Sequence, residues 1–168
     1  MEIPKEYRIQ NKIWIEPDMF YSEAFQSISR SASTINTLLR CLQKRKWEKV
    51  KVGRRKQNIY TNEPFIFPYR EAKEVLGIGK TQFWKNIIKL VEVGFIDVEY
   101  RGGWYQKHEK EKDYSRYKVS ERWRKYGTPD FIKIEKEKVL PPRFYIREHM
   151  KLVKNETNFT PMNMTCSP

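Results

Sequence analysis

The sequence predicts a helix-rich α+β fold. Apolar residues recur at the spacing of an α-helix in four segments, and apolar and polar residues alternate in two segments that follow them. A short apolar run flanked by prolines, EPFIFPY at 63–69, separates the first two helical segments from the last two and suits an edge strand. The predicted order is helix, helix, strand, helix, helix and a two-stranded hairpin.

The first two helical segments are DMFYSEAFQSIS and SASTINTLLRCLQKRKW. Asp18 precedes the first apolar positions and is the expected N-cap of the first helix. The second helix runs into QKRKWEKVKVGRRKQ, residues 43–57, which we name the basic insert. Because the insert has few apolar residues and contains a glycine, we expect a long loop or a loose hairpin there.

The last two helical segments are YREAKEVLG and a longer stretch from about Lys80 to Gly94. Gly77 is expected to end the first of them. The alternating segments FIDVEY and YSRYKVS then form a β-hairpin, whose tip RGGWYQKHEKEKD is polar and contains two glycines. We name this hairpin the wing.

The predicted domain covers residues 19–131 and carries the basic insert within it. Residues 1–18 form an N-terminal arm, in which IWIEP alternates and suits a short strand or an extended segment. Residues 132–168 mix charges, paired prolines and polar residues, so we expect an extended, basic and partly disordered tail.

The charge of the chain points to a polyanionic partner. There are 34 Lys and Arg against 21 Asp and Glu, a net charge of +13. The basic insert alone holds eight basic residues and one acidic residue, so it carries more than half of the surplus. A surplus of this kind favours nucleic acid over a membrane surface.

Several classes of protein are disfavoured. Two cysteines, Cys41 and Cys166, make no disulfide framework, and with two histidines they give no zinc-site spacing. The N-terminus lacks the apolar segment of a signal peptide, and no apolar run approaches membrane-spanning length. We therefore expect a cytoplasmic protein without a membrane segment.

The triplet Gly79-Lys80-Thr81 raises the alternative of a phosphate-binding loop. Such a loop needs the pattern G-x-x-x-x-G-K-[ST] after a buried strand. Position 74 is Glu74 instead of glycine, and the segment before the triplet is predicted to be helical. The same residues fit a helix-turn-helix, in which a glycine-containing turn joins two helices.

The second helix of that motif has two faces. At about 100° per residue, Phe83, Ile87, Leu90 and Val91 share one face, and polar side chains share the other, with Asn86 at its edge. Such amide and cationic side chains contact base edges and phosphates in a major groove. The helix N-terminus also favours a phosphate. The candidate recognition-helix residues are Lys80, Thr81, Gln82, Lys85, Asn86 and Lys89.

The alternative interpretation of this helix is an ordinary solvated face. The surrounding elements favour DNA recognition, because their order is that of a winged helix. In such a fold the wing and the basic insert would hold the DNA backbone. The candidate wing residues are Arg101, Gly102, Gly103 and Lys107. The candidate backbone contacts in the insert are Lys44, Arg45, Lys46, Lys49, Lys51, Arg54, Arg55 and Lys56.

The segments YREAKEVLGIGKTQFWKNIIKLVEVGFIDVEYRGG, YKVSERWRKYGTPDF and SEAFQSISRSASTINTLL resemble a group of bacterial winged helix-turn-helix proteins. That group is related to plasmid and phage replication initiators and to transcriptional regulators. Gly79 stands where the group more often has Ser or Thr as the helix N-cap. The resemblance covers about residues 19–131 and implies DNA binding without specifying which DNA.

An enzyme is the first rival class. A metal-dependent nuclease needs clustered carboxylates with a lysine on a strand. Pro129-Asp130 begins such a pattern, but no lysine follows Glu135 or Glu137 at the required spacing. Glu71-Ala72-Lys73 has the spacing and lies on a predicted helix. His108 and His149 offer no credible general base, so we expect no enzyme, no metal and no small-molecule cofactor.

We expect a sequence-specific binder of double-stranded DNA that acts as a transcriptional regulator or a replication initiator of a mobile element. The alternative is a winged-helix module that binds RNA or a protein partner without reading DNA sequence. A homodimer would suit palindromic DNA, but no heptad run predicts one, so the oligomeric state stays open. The target site and the sign of regulation are not determined by the sequence.

Overall fold

The computed structural model describes residues 5–7, 13, 15–53, 55–102, 114–135 and 139. Its helices are α1 (Pro17–Tyr21), α2 (Glu23–Ile28), α3 (Ala32–Gln43), α4 (Tyr69–Leu76) and α5 (Lys80–Glu92). Its strands are β1 (Trp47–Val52), β2 (Arg55–Tyr60), β3 (Phe65–Ile66), β4 (Ile96–Tyr100) and β5 (Arg116–Val119). Short 3₁₀ turns occupy Lys5–Tyr7 and Arg122–Lys125. The α+β class predicted from the sequence is confirmed.

The first predicted helix is divided into two. Ser22 has extended backbone angles (φ −67°, ψ 149°), and its hydroxyl accepts a hydrogen bond from the N–H of Phe25 at 3.1 Å. A serine hydroxyl competes with the backbone for such bonds, so it ends one helix and caps the next. The prediction that Asp18 is the N-cap is wrong, since Glu16 is in that position and Asp18 lies in the first turn of α1.

The basic insert contributes to a regular hairpin. Strands β1 and β2 pair antiparallel from Trp47 opposite Tyr60 to Val52 opposite Arg55. Gly53 has a φ of 62°, the left-handed conformation that a tight connection between two strands needs. The hairpin alternative is therefore correct, and the strands continue to Tyr60, beyond the predicted end of the insert.

The second sheet has three antiparallel strands in the order β3-β5-β4. Tyr117 on β5 lies opposite Phe65 on β3 and opposite Val98 on β4, so the last strand in sequence is the central one. The two-residue β3 is an edge strand, as its flanking prolines predict. The pairing of β4 with β5 is the predicted hairpin.

The segment between β3 and β4 forms two helices with a short connection. α4 ends at Gly77, whose φ is 67°, and α5 begins after Gly79, which is extended. α5 ends near Gly94, where a φ of 86° turns the chain into β4. Both helices occupy the predicted segments to within two residues, because the apolar periodicity and the terminal glycines indicate the same helix ends.

The helices and the three-stranded sheet share one core. Its aromatic centre includes Phe95, which stacks on Trp123 with the ring centroids 6.0 Å apart and meets Phe25 edge-on at 6.5 Å. The core continues past the predicted domain end at 131, because Val139 is buried in it and Ile134 packs against it. Within the described ranges, no helix has the length and apolar character needed to cross a bilayer.

Candidate nucleic-acid interface

α5 presents a row of exposed polar side chains at its N-terminal half. Lys80, Thr81, Gln82 and Lys85 are exposed, and Lys89 one turn further is half-buried. The opposite face is buried, with Phe83, Ile87, Leu90 and Val91 at no more than 1% exposure. The two faces predicted from the helical periodicity are therefore present in the structure.

Asn86 does not lie on the exposed face, which corrects the sequence-based assignment. It is 1% exposed, and its Nδ2 donates to the carbonyl of Ser33 at 3.0 Å and to the hydroxyl of Thr37 at 2.9 Å. Its Oδ1 accepts from the hydroxyls of Ser33 and Thr34. Asn86 therefore docks α5 on α3 and is not available to a nucleic acid.

Gln82 lies next to Asn86 and joins the same network from the surface. Its Nε2 donates to Asn86 Oδ1 at 2.8 Å and to Ser33 Oγ at 3.2 Å. Ser33 thus contacts the candidate interface, although it is not among the site residues predicted from the sequence. A possible signal was the polar pair Ser33 and Thr37, which are four residues apart on one helix face and suit a polar partner helix.

The N-terminus of α5 is open to the surface. Its N-cap Gly79 supplies no side-chain hydrogen bond to the first turn. The first N–H groups of an α-helix have no partner within the helix and favour an anion. Lys80, Thr81 and Gln82 surround this end and are all exposed. The end of the helix thus combines backbone donors with a cationic side chain.

A buried ion cluster holds α4 against α3. Glu71 on α4 accepts from Arg40 at 2.6 Å and from Lys44 at 2.7 Å, and its side chain is 2% exposed. Lys44 was expected to contact DNA from the basic insert. The structure corrects this assignment, because the Lys44 ammonium is largely buried and paired with Glu71. Its location just after α3 brings it to the buried carboxylate.

The other residues of the insert divide into two groups. The first group has partners within the protein. The guanidinium of Arg45 lies 3.9 Å from the centroid of the Tyr60 ring, and burial lowers its pKa. Lys46 forms an ion pair with Glu63. By contrast, Lys49, Lys51 and Arg55 are exposed on the hairpin. Lys56 lies on β2 opposite Lys51, and Arg54 lies outside the described residues. The exposed hairpin cations are the part of the insert that remains available to a polyanion.

The β1–β2 hairpin and the tip of the wing adjoin opposite ends of β5. Tyr60 and Thr61, at the end of the β1–β2 hairpin, share a cleft with Val119 and Ser120, at the C-terminal end of β5. The wing tip precedes the N-terminal end of β5, near Ser115. With about 3.3 Å per residue, the four residues of β5 separate these two points by about 10 Å. The β1–β2 hairpin and the wing tip would therefore contact a ligand at different places.

The described part of the wing is its base. Arg101 is exposed, whereas Gly102 is buried and its N–H donates to the hydroxyl of Ser115 at 3.2 Å. Gly102 was expected to contact the ligand, and the structure corrects this, because the residue closes the two strands of the hairpin. Gly103 and Lys107 lie outside the described residues.

A cleft of about 300 Å³ adjoins the wing base. Its walls come from the end of β3, the start of α4, α5 and the residues that flank the wing tip. The aromatic side chains that line it are Phe67, Tyr69, Phe83, Trp84, Tyr114 and Tyr117. Trp84 is 9% exposed and packs on Phe83 with the ring centroids 5.4 Å apart, so its side chain lies within the fold.

Comparison of the chain with protein-family models, with curated proteins and with solved structures gave no match. The resemblance to bacterial winged helix-turn-helix proteins therefore stays a prediction. Within the described residues, no group of three or more His, Cys, Asp and Glu is arranged to hold a metal ion.

Proposed function

We propose that this chain is a winged helix-turn-helix protein that binds double-stranded DNA and reads its sequence with α5. The observation that carries this proposal is that α5 has one buried face and one exposed polar face. One face is fixed in the core, and Lys80, Thr81, Gln82 and Lys85 are exposed from its N-terminal end onward. A recognition helix needs both faces, because its exposed N-terminal residues contact base edges while its buried face is held by the rest of the fold.

The order of the elements supports the winged-helix assignment. After α3 and the β1–β2 hairpin come an edge strand, two helices with a glycine-containing turn and a two-stranded hairpin, with β5 between β3 and β4. The helix-turn-helix is a recurrent unit with this kind of turn. The hairpin after α5 is in the position of a wing.

The charge distribution supports a nucleic acid as the ligand. The exposed face of α5 carries Lys80 and Lys85, and the wing base carries Arg101. Lys49, Lys51 and Arg55 add exposed cations on the β1–β2 hairpin. Contacts from such residues to phosphates add affinity that falls with salt and carries no sequence information. Base reading therefore depends on α5.

The biological role follows from the resemblance alone. It favours a transcriptional regulator or a replication initiator of a mobile element, acting in the cytoplasm. Either role requires sequence-specific binding to DNA, so this binding is tested first.

The test is selection from a pool of random double-stranded DNA at two salt concentrations, followed by sequencing of the retained DNA. We expect one defined motif that persists at the higher salt. Lys85→Glu, on the exposed face of α5, should abolish recovery of the motif. Lys133→Glu makes the same change of charge at an exposed residue outside α5 and should leave the motif unchanged.

Two outcomes would contradict the proposal. Retention of all DNA at low salt and of none at high salt would mean that only the net charge attracts DNA. Equal DNA binding by Lys85→Glu and by the unmodified chain would mean that α5 does not contact DNA. In both cases an RNA or a protein partner becomes the better hypothesis.

A further inference from the structure

The side-chain amide of Asn86 has only one orientation that satisfies its surroundings. The carbonyl oxygen of Ser33 lies 3.0 Å from one end of this amide, and a backbone carbonyl can only accept a hydrogen bond. The Thr37 hydroxyl donates to the same carbonyl at 2.8 Å, which leaves its oxygen to accept from the same end of Asn86. The nitrogen of Asn86 is therefore directed at the Ser33 carbonyl and the Thr37 hydroxyl. Its oxygen accepts from the hydroxyls of Ser33 and Thr34 and from the amide of Gln82.

The orientation of Asn86 determines that of Gln82. The Oδ1 of Asn86 lies 2.8 Å from the amide of Gln82, so Gln82 must present its nitrogen there, since two amide oxygens at that distance would repel. The second N–H of Gln82 is directed to Ser33 Oγ at 3.2 Å. Both donors of Gln82 are thus used inside the protein.

The remaining polar atom of Gln82 is its Oε1. Gln82 is exposed, and among the described residues no hydrogen bond reaches this oxygen. At this position α5 therefore offers a ligand an acceptor and no donor. A free glutamine would offer both and would pair with N6 and N7 of adenine together.

We propose that Gln82 Oε1 reads an exocyclic amino group in the major groove, namely N6 of adenine or N4 of cytosine, and that Asn86 and Ser33 are the positioning residues. This inference rests on the proposed function of DNA binding. Guanine and thymine present acceptors at the corresponding positions, and these would face the acceptor of Gln82. The network inside the protein thereby excludes two bases that an unconstrained glutamine would tolerate.

The first test compares the base preferences of five chains in the selection experiment, the unmodified chain and four variants. In the unmodified chain, one position of the motif should favour adenine and cytosine over guanine and thymine by roughly two- to ten-fold, the contribution of one neutral hydrogen bond. Gln82→Ala should equalise the four bases at that position alone. Asn86→Ala and the milder Ser33→Ala each remove one of the two acceptors of Gln82 Nε2 and so free one N–H, and guanine should therefore rise at that position in both variants. Ser29→Ala removes an exposed hydroxyl that, among the residues the structure describes, bonds only to Gln26 O, and it should leave the base preferences unchanged.

The second test needs no DNA. Hydrogen exchange of the Gln82 side-chain amide is followed by NMR in the free protein, with the resonances assigned by their loss in Gln82→Ala. We expect slow exchange in the unmodified chain and at least ten-fold faster exchange in Ser33→Ala. If Asn86→Ala fails to fold, the Ser33→Ala comparison still tests the proposal.

The outcomes separate this inference from the function on which it rests. Absence of any motif would contradict both. A motif in which the Gln82-dependent position favours guanine or thymine, or in which no position depends on Gln82, would overturn the inference and leave DNA binding intact. Side-chain exchange as fast as that of an unconstrained glutamine would also overturn it.

Discussion

The carboxylate of Glu71 on α4 lies 2.6 Å from the guanidinium of Arg40 on α3, and both side chains are at most 5% exposed. Arg40 also donates to Gln43 and to the carbonyl of Tyr7, and Lys44 completes the cluster from the other carboxylate oxygen. One buried negative charge thus partners two cations. Removing it leaves both cations in a site with little access to water.

Glu71→Gln should therefore lower the free energy of unfolding by about 3–5 kcal/mol, the usual cost of leaving a buried charge without its partner. Urea unfolding measures this change. Glu74→Gln is the matched control on the same helix, because Glu74 pairs with Arg70, which is 68% exposed. The control should change stability by about 0.5 kcal/mol or less. Similar effects of the two substitutions would show that the cluster does not stabilise the fold.

Gly94→Ala should destabilise the protein by several kcal/mol more than Gly77→Ala. Both glycines have a φ near that of a left-handed helix, which costs an alanine about 1–2 kcal/mol. A Cβ on Gly94 would also lie 2.7 Å from the backbone nitrogen of Trp123, whereas a Cβ on Gly77 meets nothing within 4 Å. Thermal unfolding of the two variants measures the difference. An equal loss of stability in the two variants would mean that the backbone around Trp123 shifts to accommodate the new Cβ without a cost in free energy.

The exposed lysines of the β1–β2 hairpin should contribute affinity without sequence choice. Replacing Lys49 and Lys51 together by Ala should reduce the salt slope of DNA binding by about 2, since each phosphate-contacting lysine contributes about 1. The selected motif should stay the same. Lys125 and Lys133, also exposed, give a control pair with the same loss of charge. A changed motif would instead assign base reading to the hairpin.

The stability of the protein should fall in alkali, with a contribution from Cys41. Burial raises the pKa of this thiol from 9.0 to about 12. The unfolded chain therefore loses the proton of Cys41 at a lower pH than the folded chain, and folding is favoured fully below pH 9 and less as pH rises towards 12. The loss amounts to about 1.4 kcal/mol for each pH unit in that window.

Cys41→Ala isolates this contribution. The variant should be less stable near neutral pH because it leaves a cavity, and the difference from the unmodified chain should shrink between pH 9 and 11. Urea unfolding at several pH values provides the measurement. Burial also raises the pKa of Tyr117, and that residue titrates in both chains, so only the part of its shift that Cys41 causes enters the difference. A constant difference across this range would show that Cys41 does not titrate as its burial requires.

Local features of the sequence were enough to predict α4, α5 and the wing strands. The apolar positions of α5 repeat at helical spacing, and Gly77 and Gly94 interrupt the pattern at its ends. The alternation in β4 and β5 is equally local.

The candidate site was predicted less completely. Asn86 lies at the border between the two faces of α5, where periodicity alone cannot decide burial. Its partners Ser33 and Thr37 are about fifty residues away in the sequence. The same holds for Lys44, whose partner Glu71 lies on another helix. A net charge or a helical wheel does not reveal such pairings, since each depends on which elements pack together.

By itself, the sequence determined α3, α4, α5, the edge strand β3, the two wing strands, the order of these elements and the strong positive charge, because these depend on residue type and on neighbours a few positions away. The tertiary structure alone decided which polar residues are left for a ligand. It buried Asn86 and Lys44 against α3 and α4, and it used both donors of Gln82 inside the protein. The physical reason is that a buried polar group must find a partner, and only the packing of distant segments determines where that partner lies.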